Sequence, residues 1–415
     1  MPCSRRARAR LLLSLSAWAA AAASHAEPLT YAAALDLAAR SAPSLQASAV
    51  KVDAARAASR AAGRLPDPRL SVGIDNFPIS GPPSGRFDAD DMTMSRIGVM
   101  QDVPNAARRR AEVAGATATI AVAQAEGAET QRRVRVATAL AWIDLAYAER
   151  RLGTLDQLVG GLKDLWAAQP PSIASGASRP AAGLEPKRLQ ALFADRRSEL
   201  VAAAQKARAE LVRWTDDPAP TTSGEAPHYE IDPGALHAAL ERHPSLLTAE
   251  ATERRAAADV DGARAARRPD WGVEVSYGRR DPMFGDMVSA GVTMSLPIFR
   301  ATRQEPLVAA RLADRNRARI EREARRRDLL AELDGGLADH RMHHDQWRRS
   351  VEVLVPTAEQ RAHLELASYA AGRAGFDEVR MALTDLADAK LEALAREAMA
   401  ARDGASLVLT YGSDQ

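Results

Sequence analysis

Two stretches of this chain, about 200 residues apart, carry the same pattern, and that internal duplication limits the folds open to it. Leu35-Asp36-Leu37-Ala38-Ala39-Arg40-Ser41-Ala42-Pro43-Ser44-Leu45 corresponds to Leu236-His237-Ala238-Ala239-Leu240-Glu241-Arg242-His243-Pro244-Ser245-Leu246. Pro66-Asp67 returns as Pro269-Asp270, and Gly98-Val99 with Val103-Pro104 as Gly291-Val292 with Leu296-Pro297. Leu158-Val159-Gly160 meets Leu354-Val355-Pro356, and Gly176 meets Gly372. A repeat this long is a whole supersecondary assembly used twice, not a short solenoid unit. The repeats are placed at 27–227 and 228–415.

Residues 1–26 stand outside the duplication. Arg5, Arg6, Arg8 and Arg10 precede an apolar run from Leu11 to Ala23, and Ser24-His25-Ala26 offers small residues for cleavage. That is the layout of a secretory signal peptide, and the run is too short for a membrane-spanning helix. Losing those four arginines takes the net charge from +2 to −2, so no basic surplus argues for nucleic acid. The only cysteine, Cys3, lies ahead of the apolar run, which leaves the mature chain without a thiol, a disulfide or cysteine–metal chemistry. No apolar run of 18 or more follows Ala23. Aromatic residues make up 4% and charged residues 27% of the chain, which suits long, closely packed helices better than a thick globular core.

Each repeat reads in one order: short helix, strand hairpin, very long helix, turn, shorter return helix. The first short helix spans Ser44 to Gly63. Strands are expected at about 69–77 and 93–103, and again at 271–279 and 287–296. Leu70, Val72 and Ile74 alternate with Ser71, Gly73 and Asp75. Trp271, Val273, Val275 and Tyr277 share one face, as do Val288, Ala290, Val292, Met294 and Leu296. Four strands of about nine residues suit a tilted transmembrane β-barrel.

Long helices are expected at about 105–169, with Asn105 as N-cap, and 303–371; 65 residues at ~1.5 Å rise give a rod of roughly 100 Å. Leu152, Leu155, Val159, Leu162 and Trp166 fall at coiled-coil spacing. So do Leu330, Leu333, Leu337, His340, His344, Trp347, Val351, Leu354 and Ala358. Pro356 aligns with Gly160, so both rods are expected to bend or loosen there. Turns at about 170–183 and 372–376 lead to return helices at 184–214 and 376–410. Four strands cannot close a barrel, and open edges are not tolerated in hydrocarbon, so copies of the chain must pool strands. Three copies would supply twelve. The fold class is then mostly α with a membrane β-barrel, in which a trimeric 12-stranded barrel continues into a 12-helix periplasmic coiled-coil tunnel.

At these residues the chain resembles the TolC family of outer-membrane efflux proteins over essentially its whole mature length. The duplicated unit carries the resemblance, with Pro66-Asp67-Pro68-x-Leu70-x-x-Gly73-x-x-Asn76, Met92-Thr93-Met94, Gly98-Val99-x-Gln101-x-x-Pro104, and Tyr369-x-x-Gly372. The hairpin motif is most similar to the heavy-metal branch, the partners of cobalt–zinc–cadmium and copper–silver exporters. The resemblance implies a homotrimer in outer-membrane lipid that extends into the periplasm and binds no cofactor. A periplasmic adaptor protein would join it to a proton-driven inner-membrane pump of the resistance-nodulation-division type. It implies adaptor-docking tips at Gly176, Gly183, Gly372, Arg373 and Gly375, and a periplasmic gate at Glu378 and the aligned Met381, with Asp377 adjacent. Met381 replaces a family acid, and Pro170-Pro171, Pro180 and Gly183 replace the usual Tyr-x-x-Gly in the first turn. The cargo implied is heavy-metal cations; drugs or other organic solutes would suit the same duct.

Each candidate residue has a plainer reading beside it. Asp377 and Glu378 would also suit a helix's first turn, where the helix dipole favours acids. His340, His343 and His344 have metal-ligand spacing, yet His340 and His344 also sit on the heptad seam, where polar residues set register. Six of the ten methionines, Met92, Met94, Met100, Met283, Met287 and Met294, fall in the hairpins. Thioethers suit Cu(I) or Ag(I), and methionine also serves as an ordinary lipid-facing residue. Arg108 to Arg110 and Arg325 to Arg327 suit lipid headgroups. No phosphate loop, GxSxG, HExxH or cysteine nucleophile signals an enzyme. The rival class is a soluble periplasmic coiled-coil adaptor or scaffold.

Overall fold

A computed structural model describes residues 28–82, 84–163, 166 and 184–412. The expected signal peptide, Gly176, Gly183 and the Pro170–Pro180 stretch lie outside the described residues.

The elements follow the expected order twice. In the first copy α1 (Tyr31–Ser41) and α2 (Pro43–Ser59) precede β1 (Arg69–Asp75), β2 (Met94–Val103), α3 (Ala106–Gly161) and α4 (Glu185–Thr215). In the second, α5 (Pro233–Ala239), a single tight turn and α6 (Pro244–Ala265) precede β3 (Trp271–Arg279) and β4 (Met287–Met294). Then come α7 (Glu305–Arg349), α8 (Val355–Ala370) and α9 (Phe376–Tyr411). Both motif prolines open a helix, Pro43 in α2 and Pro244 in α6, because proline's missing N–H is an orphan at a helix start anyway. The motif's leading residues form a helix of their own, α1, which the sequence reading left unassigned.

The chain divides into two compact units. One comprises residues 43–131 and 239–332 and contains the sheet. Its strands lie in the order β1-β2-β3-β4, all antiparallel. Asn105 caps α3 as expected, its Oδ1 accepting from Arg108 N–H at 3.0 Å. Its own N–H and side-chain amide both donate to Asp270 Oδ1, at 2.7 and 2.8 Å. The repeated Pro-Asp thereby anchors the start of the first long helix to the start of β3. Alanine and glycine bring helices close here: a Cβ added at Gly115 would lie 3.9 Å from Ala258, and one at Gly262 3.8 Å from Ala111.

The other unit comprises the described parts of 1–42, 132–238 and 333–415. One core cluster in it gathers Trp142, Ile143 and Leu145 of α3 with Leu211 and Ala405. Trp142 donates its indole N–H to the Leu29 carbonyl at 2.8 Å and meets the Tyr31 ring edge-on at 5.5 Å. A second cluster joins Leu155 and Leu162 to Leu189, Phe193, Phe376, Val379, Leu383 and Leu391. Leu152, Val159 and Trp166 pack against it, so the expected seam of the first long helix is the one that is buried.

The second long helix departs from expectation. It opens with a π-turn over Arg300–Gln304, and a second π-turn over Ser350–Leu354 separates α7 from α8. Pro356 sits in the first turn of α8, directly after that widened turn, so the expected loosening is present. The extra residue of a π-turn rotates everything beyond it, and the heptad seam expected there is broken. Ser350 is buried at 0% exposure, while Val351 and Leu354 face outward at 49% and 47%. Before the break the seam uses Leu329 in place of Leu330, then Leu333 and Leu337.

Candidate functional site

The two faces of the sheet differ in chemistry, one mostly apolar and the other mostly polar. Strand alternation and register put Leu70, Val72, Ile74, Ile97, Val99, Trp271, Val273, Val275, Tyr277, Val288, Ala290, Val292 and Met294 on one face. These side chains are exposed in the single chain; Val72 and Val288 are each 74% accessible. The other face carries Arg69, Ser71, Asp75, Arg96, Asp102, Glu274, Ser276, Ser289 and Thr293 among glycines and three methionines, Met94, Met100 and Met287. Its charges are paired: Arg69 with Asp102 at 2.7 Å, and Arg96 with Asp75 at 3.1 Å and Glu274 at 3.7 Å. Gly272 on this face is sterically required, since a Cβ there would lie 2.5 Å from Thr293 Oγ1. No described helix is long and apolar enough to cross a membrane. The strands run 7 to 10 residues and are two-faced, with β1 and β4 left as open edges in one chain.

The described tip lies in the other unit. Gly372 has φ +70°, the left-handed conformation that glycine adopts without cost. Its N–H donates to the Tyr369 carbonyl at 2.9 Å and the Arg373 N–H to Ser368 at 2.8 Å, the hydrogen-bond pair of a Schellman cap. The Tyr369 ring then meets Phe376 edge-on at 5.8 Å. Tyr-x-x-Gly is thus a helix stop with a clamp onto the next helix.

Gly375 caps α9 in extended conformation, and Asp377 and Glu378 fall in its first turn. Glu378 folds back over the helix start: a Cβ at Gly375 would come 2.9 Å from Glu378 Oε2. Asp377 is held by Arg380 at 2.5 Å, and Arg380 also reaches Glu185 at the start of α4, 3.1 Å away. Arg380 is only 15% exposed, and its hydrogen bond to Asp377 moves its pKa up. Met381 is 40% exposed one turn on, where it supplies no charge. The part played by Glu185 is not visible in the sequence, because its place opposite Arg380 depends on how α4 packs against α9.

The three histidines part company. His343 Nδ1 bonds Asp403 at 2.7 Å. His340 and His344 lie tilted to one another with ring centroids 6.2 Å apart, and His344 is edge-on to Trp347 at 5.5 Å. Burial lowers the His340 pKa, and Nδ1 of that ring has no hydrogen-bond partner. Among the described residues no three His, Cys, Asp or Glu side chains converge as a metal site.

The fold is that of solved outer-membrane channels. A membrane protein from Pseudomonas aeruginosa superposes with TM-score 0.80 at 18% identity, over 92% of this chain and 90% of that one. CusC, a transmembrane channel, gives 0.78 at 15% identity over 92% of each chain. The outer membrane protein VceC from Vibrio cholerae gives 0.75 at 18% identity, over 92% of this chain and 96% of that one. No curated relative matches in sequence. Residues 235–413, essentially the second repeat, match the family described as "Outer membrane efflux protein".

Proposed function

We propose that this chain is the outer-membrane exit duct of a tripartite efflux system. The observation that carries the reading is the sheet: one face mostly apolar and exposed, the other carrying paired charges, and both edges open. Such a sheet is stable in hydrocarbon only when other copies complete it, and three copies give twelve strands. The efflux-family match over residues 235–413 supports the same conclusion. Long rod-like helices suit a passive conduit, with energy supplied by an inner-membrane pump through a periplasmic adaptor.

The described tip is the proposed gate and docking surface. Gly372, Arg373 and Gly375 shape the turn an adaptor would meet, and Gly176 and Gly183 are proposed for its counterpart. Asp377, Glu378 and Met381 stand where an acidic ring would close the aperture. Because Arg380 ties Asp377 to Glu185 within one chain, opening would separate α9 from α4 at that bridge. Arg380→Ala is expected to raise ion leakage through the channel, measured as baseline current in a lipid bilayer. Unchanged current would remove Arg380 from the gate.

The proposed cargo is heavy-metal cations, by likeness of the Pro66–Asn76 motif to the heavy-metal branch; organic solutes are the alternative. Deleting the protein from its host should reduce tolerance to at least one of copper, silver, zinc, cobalt or cadmium. Unchanged metal tolerance with increased drug sensitivity would transfer the assignment to organic cargo.

A further inference from the structure

The polar face of the sheet contains a chemical exception. Every uncharged residue on that face is Gly, Ser or Thr, apart from Met94, Met100 and Met287. No leucine, valine, isoleucine or aromatic residue shares it among the described strand residues. Methionine on the opposite face, at Met294 beside Trp271, needs no explanation beyond lipid contact. On the polar face apolarity is not what position after position selects, so the thioether itself is the distinguishing property.

Two of these methionines flank one glycine. Gly278 stands between β2 and β4, paired to Arg96 on one side and directly to Met287 on the other. The Met94 side chain leans across it: a Cβ at Gly278 would lie 2.5 Å from Met94 Sδ. The missing side chain is therefore what admits Met94 toward the strand that carries Met287. Surrounding charge does not oppose a cation. Arg96 is neutralised by Asp75 and Glu274, and Met94 is itself paired in register with Asp75. Met100 is a poorer ligand, because Arg69 Nη2 lies 3.6 Å from its sulfur.

We propose that Met94 and Met287, meeting across Gly278, form a thioether contact site for a soft monovalent cation of the Cu(I)/Ag(I) class. Soft sulfur ligands select such ions over the harder divalent ones, and a pair of neutral thioethers can hold one and release it again. Service to an exported ion rests on the exit-duct reading; binding itself does not. The plainer alternative is that methionine merely fills the gap over Gly278, a task leucine would perform as well.

Silver nitrate titrated calorimetrically into the full chain in detergent, in chloride-free buffer, separates the two. Cys3→Ser makes every sulfur a thioether. Saturable silver binding is expected, weakened at least about tenfold in M94L/M287L, since loss of even a supporting residue costs a metal site that much. M294L should bind as the parent does. Equal affinity in M94L/M287L, or no saturable binding to the parent, overturns the proposal. Should the double variant not fold, silver-edge X-ray absorption on the parent decides: a first shell with sulfur is expected, and one of nitrogen and oxygen alone overturns it. A chain that conducts ions yet binds no silver loses this site and keeps the duct; one that binds silver without conducting does the reverse.

Discussion

The two long helices descend from one repeated pattern and are built differently. α3 is a single α-helix from Ala106 to Gly161, capped by Asn105. Its counterpart reaches Ala370 only through two π-turns, one at its start and one just before Pro356. Where the first copy has Gly160, which keeps its N–H, the second has a residue that cannot donate, and the ladder widens ahead of it. The hairpins and the proline-started helices stayed alike. Duplication has therefore preserved the parts that build the sheet, while the rods diverged in how they turn their faces.

The largest effect expected from breaking one copy is in the first rod. Trp142→Ala removes a fully buried side chain together with its hydrogen bond to Leu29, and should cost about 3–5 kcal/mol in denaturant unfolding. No side chain of that size is fully buried in the second rod, where Leu333→Ala should cost about 2–5 kcal/mol. Next come the hairpins, where the copies should behave alike. Val99→Arg in β2 and Val275→Arg in β3 should each destabilise the membrane-inserted form by about 2–4 kcal/mol, with Ser289→Arg on the polar face costing much less. Unequal costs for the two valines would show that the strands are not equivalent staves.

At the tip, Gly372→Ala should cost about 1–2 kcal/mol, the penalty of a Cβ in the left-handed conformation. Thermal unfolding measures it. The smallest effect is confined to the second copy, which has His237 where the first has Asp36. The Pro233 carbonyl and Asp334 raise the His237 pKa above 6.5. Its contribution is complete below 6.5 and is lost as pH rises through the folded value. His340 has the opposite sign: burial lowers its pKa, so stability is lost as pH falls below 6.5 through its folded value. H237Q should flatten the alkaline side of a melting-temperature profile, and H340Q the acid side.

Much of this was legible in the sequence because period-2 and heptad patterns are direct images of strand and helix geometry. The strands fall within two residues of expectation, and β4 ends at Met294 ahead of Pro297, which cannot continue a ladder. The seam of the second rod departs from expectation at Val351 and Leu354, though Ala358 packs against the core, because a π-turn leaves no periodic signature until its consequence, buried Ser350 and exposed Val351, is seen. The tip was legible as a turn through Gly372. The Arg380–Glu185 bridge was not, since it joins residues almost 200 positions apart in sequence. The segregation of Met94, Met100 and Met287 onto the polar face could have been found by carrying the strand alternation through every methionine.

An exit duct requires the sheet to complete a pore with other copies of itself. Purified protein reconstituted into a planar lipid bilayer should produce discrete, long-lived conductance steps, each from one assembled channel. A protein that leaves the bilayer silent, and that fractionates with the soluble periplasm, would contradict the account.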